Sequence, residues 1–181
     1  PSCRVATTAN LSATYSNGTA GVGATLTNSG TQAALTIDGI TMVADDRVLV
    51  KDQSTAAQNG IYVVTNIGSG STNWILTRAT PEDQPSELSG GAFVFVEEGT
   101  ANANNGYVFT HTGNPTFGTT ALDVAQFSGA GQITAGAALT KSGNQMDVAV
   151  DDSSIEVNAD ALRVKALGIT NAMLAGSIDG A

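Results

Sequence analysis

At 181 residues the chain has room for one ordinary domain, or for a compact domain with an extension, but not for two full-sized domains. Seven Lys and Arg against sixteen Asp and Glu leave a formal net charge of −9, so no basic stripe exists to neutralise a phosphate backbone, and nucleic acid is excluded as a partner. Twenty-one Gly, 13% charged and 41% hydrophobic residues describe an ordered chain rich in turns, and no apolar run of eighteen residues is present to insert into a membrane as a helix.

The chain begins at Pro1 without the basic and apolar blocks of a signal peptide, and is read as a piece of a longer protein. Cys3, the lone cysteine, has no internal disulfide partner; so close to an end it is expected to be unpacked and a poor nucleophile. "GTAGVGAT" (18–25) lacks the Lys that a phosphate-binding loop places after its final Gly, and is read as turns between strands. Two sequons, Asn10-Leu11-Ser12 and Asn17-Gly18-Thr19, arise from composition.

Strand-length runs then follow at short intervals. In "AALTIDGITMV" (33–43) the pair Asp38-Gly39 marks a tight hairpin whose central positions need positive φ. "DRVLVKDQ" (46–53) alternates, with Val48 and Val50 on one face and Arg47, Leu49 and Lys51 on the other. "NGIYVVTNIG" (59–68), "WILTRAT" (74–80), "GAFVFVEEG" (91–99) and "GYVFTHTG" (106–113) continue the series, Phe93 sharing a face with Phe95 and Tyr107 with Phe109. "TPEDQPSELSG" (80–90), with two prolines and three acids, is expected to be an exposed loop. All nine aromatic residues precede position 128, so residues 1–128 are expected to form a globular β domain around an aromatic-centred core. The expected fold class is all-β, an antiparallel β-sandwich or small barrel followed by a short β-hairpin segment.

A Gly/Ala-rich joint is placed at 129–136, and residues 137–181 read as a β-hairpin oligomerisation segment with a short C-terminal helix starting near Thr170. "AALTKSGNQMDVAV" and "SSIEVNADALRVK" each read as strand, turn, strand, with apolar and polar residues alternating. Two hairpins without an aromatic ring bury too little to stand alone in water, so their apolar face must be covered, either by the first domain or by identical copies of the same segment, and a homotrimer is the expected cover. The residues expected in that trimer core are Leu139, Met146, Val148, Val150, Ile155, Val157, Leu162, Val164, Ile169 and Leu174.

Asp147, Asp151, Asp152, Glu156 and Asp160 crowd into this segment, yet from Asp147 the third position is Ala149 and the sixth Asp152, where a calcium loop needs an oxygen ligand and a Gly. A solvated hairpin face is the better account of these acids, and no metal or other cofactor is expected. Enzymatic signals are thin: His111 sits among threonines in a strand pattern, and no G-x-S-x-G elbow occurs. A glycosidase-type carboxylate pair is assembled in space and leaves no mark in spacing.

The run "VATTANLSATYSNGTAGVGATLT" (5–27), followed in order by "IDGITMVADDRVLVKDQSTAAQNGIYVVTNIG" (37–68), "WILTRAT" and "GAFVFVEEGTANANNGYVF" (91–109), resembles a module of tailed-bacteriophage tail-fibre and related virion structural proteins. The segment from Leu139 to Ile178 also looks like stretches that follow this module in such fibres. The resemblance implies a non-enzymatic virion component, homotrimeric, that anchors or displays a host-attachment region and contacts other virion proteins of tail or capsid. It assigns no receptor-binding residues. Two further readings are a capsid decoration or head-fibre protein, and a carbohydrate-binding or hydrolysing spike domain in which Trp74 and Tyr107 would line an exposed groove for a host cell-surface glycan.

Overall fold

A computed structural model of the chain describes residues 2–128, 133–142 and 145–173. The chain divides into two compact units, Pro1–Ala130 and Gly131–Ala181. Both are built of strands, and among the described residues neither contains a closed barrel. No helix among the described residues is long and apolar enough to cross a membrane.

The first unit opens with β1 (Ser2–Cys3), β2 (Val5–Ala6), β3 (Ala13–Ser16) and β4 (Thr25–Asn28), followed by the hairpin β5 (Thr36–Ile37) and β6 (Ile40–Thr41). β7 (Arg47–Val50), β8 (Gly60–Asn66), β9 (Ile75–Arg78), β10 (Phe93–Val96), β11 (Asn105–Phe109) and β12 (Val124–Ser128) complete it. A six-stranded sheet has the order β2-β7-β8-β9-β4-β3, and a four-stranded sheet the order β1-β10-β11-β12. The pairing is antiparallel except for β1 with β10 and β2 with β7, which are parallel. That exception follows from how the chain begins: its first strand is split at Arg4, with one half joining each sheet.

Two apolar clusters lie on opposite faces of the six-stranded sheet, as alternation along β7 and β8 shows. Leu49 and Ile61 enter the cluster shared with Val94, Val96, Tyr107 and Phe109 of the four-stranded sheet. Val48, Val50, Tyr62 and Val64 enter the other, under the β5–β6 hairpin that supplies Ile37 with its neighbours Leu35 and Met42. A central sheet covered on both faces explains why β7 and β8 read as nearly unbroken apolar runs. The hairpin turns through Asp38 (φ 48°) and Gly39 (φ 81°), both positive as the dipeptide predicts. The Asp38 carboxylate accepts from the N–H groups of Ala101 and Asn102 (2.9 and 2.8 Å) and so latches the hairpin to the 99–102 loop.

Four expectations need correction. Cys3 is buried, because β1 pairs with β10 and carries the thiol into the inter-sheet cluster. Phe93, Phe95 and Phe127 are exposed rather than core residues; on β10 it is Val94 and Val96 that turn inward. The 80–90 loop is only partly exposed: Leu88 enters the inter-sheet cluster, Glu82 is buried against Arg47 (2.7 Å), and Asp83 is buried with the Thr80 hydroxyl donating to it at 3.0 Å. The sandwich is not wholly antiparallel, for the reason given above.

The second unit contains β13 (Leu139–Ser142), β14 (Gln145–Val148), β15 (Ile155–Asn158) and β16 (Ala161–Val164), each consecutive pair forming an antiparallel hairpin. Where the sequence suggests a short helix after Thr170, a single 3-10 turn covers Asn171–Met173. The rest of that expected helix, Leu174 included, lies outside the described residues, as do residues 129–132 of the joint.

Candidate functional site

Register decides which side chains of the second unit share a face. In the first hairpin Leu139 stands opposite Val148 and Lys141 opposite Met146, while Thr140–Asp147 and Ser142–Gln145 occupy the reverse side. In the second, Ile155 stands opposite Val164 and Val157 opposite Leu162, with Glu156–Arg163 behind. Each hairpin is thus amphipathic with a period of two, as its sequence predicts.

The polar sides are internally satisfied. Arg163 Nε donates to Glu156 Oε1 at 2.7 Å across the strands. Gln145 Nε2 donates to Asp147 Oδ1, also at 2.7 Å. Asp151 accepts from the backbone N–H groups of Ser153, Ser154 and Ile155 and from the Ser154 hydroxyl, closing the turn into β15. The Ser154 hydroxyl and those amides hold its carboxyl far below the usual carboxylate range. Lys165 Nζ reaches back to the Asp152 carbonyl at 2.6 Å. Gly168 packs so closely here that a Cβ would stand 2.7 Å from the Ser153 carbonyl and 2.9 Å from that of Ser154, which is why glycine occupies this position. The acids of this segment therefore close turns and pair across strands. Among the described residues no group of three or more His, Cys, Asp or Glu is arranged to hold a metal ion.

The apolar sides are different. Leu139, Val148, Ile155, Val157, Leu162 and Val164 remain 38–55% exposed in the single chain, and Ile169 is exposed beside them in sequence. Met146 and Val150 are half-buried. Leu167, absent from the expected core, is 98% exposed and held at φ 64°. Its signal was weak because it lies in the tail rather than in an alternating strand. Burying a whole Val, Leu or Ile side chain is worth about 1.5–3 kcal/mol, so covering the exposed halves of the six strand residues would contribute roughly 5 kcal/mol per chain.

Trp74 and Tyr107, the pair expected to line a glycan groove, lie in the interior at 7% and 4% exposure, in two different clusters on opposite sides of the central sheet. The Tyr107 hydroxyl donates to Asn102 Oδ1 at 2.6 Å and is consumed within the fold. His111 is half-buried, its Nε2 3.0 Å from the Leu88 carbonyl and its ring edge-on to Phe109. Burial pushes the Cys3 thiol up to about 12, which keeps it protonated and unreactive. A cavity of ≈ 240 Å³ runs between Ile61, Phe109, Leu88, Phe93 and two acids, Glu82 and Glu87. Glu82 is neutralised by Arg47, and Glu87 accepts from the Gln84 N–H.

No protein-family model, no curated protein and no solved structure matches this chain.

Proposed function

We propose that the chain is a non-enzymatic structural component of a bacteriophage tail fibre, assembled as a homotrimer through the hairpins of residues 137–181 and anchoring or displaying a host-attachment region. The observation that carries this reading is the largely aliphatic face of each hairpin, left open in the single chain, while on the reverse sides Gln145 bonds Asp147 and Arg163 pairs with Glu156. An open apolar strip backed by a satisfied polar one needs an apolar cover, and copies of the same segment supply it with closed symmetry. The order of the tail-fibre-like blocks in residues 5–109 supports this class of particle. On this reading the work of the protein is mechanical: it holds three binding regions on one rigid axis, so that weak contacts with a repeating host surface add through effective concentration. The placement of the two residues that enzymatic readings would draw on supports a non-catalytic role, His111 bonded to a carbonyl and Cys3 protonated in the core.

Immunogold labelling of intact particles tests the assignment. Gold on the tail fibres is expected; gold confined to the capsid shell would replace this reading with that of a decoration protein, and release of sugars from host polysaccharide by the purified chain would overturn the non-enzymatic role.

A further inference from the structure

The outer face of the four-stranded sheet is also apolar. Phe93, Val108 and Ala125 stand in one register row across β10, β11 and β12, and Phe95 pairs with Gly106 in the next. A bulge in β12 gives that strand an extra residue, Phe127, between the partners of Gly106 and Tyr107. Bulges re-aim side chains, and here Phe127 is brought edge-on to Phe93, with ring centroids 6.1 Å apart and planes at 88°. The two rings and Val108 border an open hollow of ≈ 460 Å³. None of these residues carries a charge, in a chain of net charge −9.

We propose that this face is a self-contact surface: within the trimer each copy turns Phe93, Phe95 and Phe127 against the same face of its neighbours. The inference rests on the trimer reading and extends it to the first unit. Three arguments choose the occupant. The rings are 58%, 41% and 59% exposed, which at about 200 Å² for a whole Phe side chain leaves roughly 300 Å² of ring surface. A free partner needs about 800 Å² on each side for a stable complex, so the patch is too small to recruit one from solution and suits a partner already held nearby. A second copy is held nearby: eleven residues, 128–138, link Phe127 to Leu139 at the start of the hairpins, and such a link spans at most about 43 Å. Joined hairpins would therefore raise the local concentration of this face to the millimolar range. Finally, identical acidic chains repel elsewhere on their surfaces, and an uncharged patch is where they can touch.

The test uses the full chain with Phe127→Cys, and separately Phe95→Cys, treated with a short bis-maleimide at micromolar protein and run beside Ser71→Cys and the unsubstituted chain. Ser71 is exposed in the turn between β8 and β9, and the buried Cys3 should leave the unsubstituted chain unlinked. Cross-linking between subunits at least about tenfold faster at 127 and 95 than at 71 is expected, because tethering raises the local concentration at all three positions and only contact holds 127 and 95 within reach of their counterparts. Sedimentation of the same samples separates the two claims. Trimers in which 127 and 95 react no faster than 71 overturn the self-contact surface and leave the hairpin trimer standing, with the face then open to a foreign partner. A monomeric chain overturns both.

Discussion

Arg78 is the most exacting position in the first unit. It is 3% exposed, and among the described residues it has no carboxylate partner. Its guanidinium lies between the Phe117 ring (4.5 Å to the centroid) and the Tyr62 ring (4.9 Å), and donates to the Asn59 carbonyl and the Tyr62 hydroxyl (3.2 and 3.0 Å). Gly60 leaves the space for it: a Cβ there would run into Nη1. The Nε–H is buried and unpaired. Arg78→Lys keeps the buried charge, yet a point-like ammonium cannot stack on two rings and reach both acceptors. Losing two hydrogen bonds from a charged donor costs about 1.5–3 kcal/mol each, and the weakened stacking adds about 1–2 kcal/mol, so a loss near 5 kcal/mol is expected. Arg78→Met gives up the same bonds but removes both the buried charge and the unpaired Nε–H, and should cost about 2 kcal/mol. Urea unfolding followed by the fluorescence of Trp74, which is buried in the same unit, measures both variants. The reasoning fails if the Lys variant is as stable as the Met variant, because the stacked planar cation would then not be what makes the site tolerable.

Other outcomes follow from the same structure. Leu162→Ala should change the stability of an isolated chain by only a few tenths of a kcal/mol, because the side chain is half exposed there, but should cost a trimer about 1 kcal/mol per subunit; the dependence of its melting on protein concentration discriminates. Cys3 should be silent to thiol reagents at pH 8 and react only on unfolding. Its folded pKa lies above the ordinary 9.0, so its contribution to stability is whole below pH 9 and is lost as pH rises toward 12, which a series of alkaline melts will show. For Asp151 the sign reverses: its lowered pKa contributes stability present above the usual carboxylate range and lost as pH falls through the folded value. Carbon NMR should find the Asp151 carboxyl still ionised at pH values where a carboxyl of the usual range has protonated, and Asp151→Ala should erase that signature and loosen the turn into β15.

What the sequence disclosed depends on how unequal the two faces of each strand are. In β14, β15 and β16 one parity is apolar and the other is polar or small, so register and face can be read directly, whereas in β7 Leu49 breaks the polar parity because the sheet is covered on both sides. In β10 both parities are apolar, Phe-Val-Phe-Val, and alternation says only that the rings go together; the bulky pair falls on the outer face because the valines meet the opposing sheet. β1 and β2 are two residues each and have no period to detect, which hid the burial of Cys3. The 80–90 loop looked exposed because its acids were counted without Arg47, thirty-five residues before Glu82. The apolar hairpin face was legible from this alternation, whereas the Phe93–Phe127 surface was not, since its second ring arrives through a bulge that composition does not announce.

Sedimentation equilibrium of the full chain at micromolar concentration bears most directly on the central claim. One species of about 55 kDa is expected, three times the 18.2 kDa of the single chain, falling toward monomer when Val157 and Leu162 are both replaced by Ser. A single species at 18.2 kDa across the concentration range would contradict it, because the aliphatic faces of both hairpins would then stand open in water with nothing to cover them.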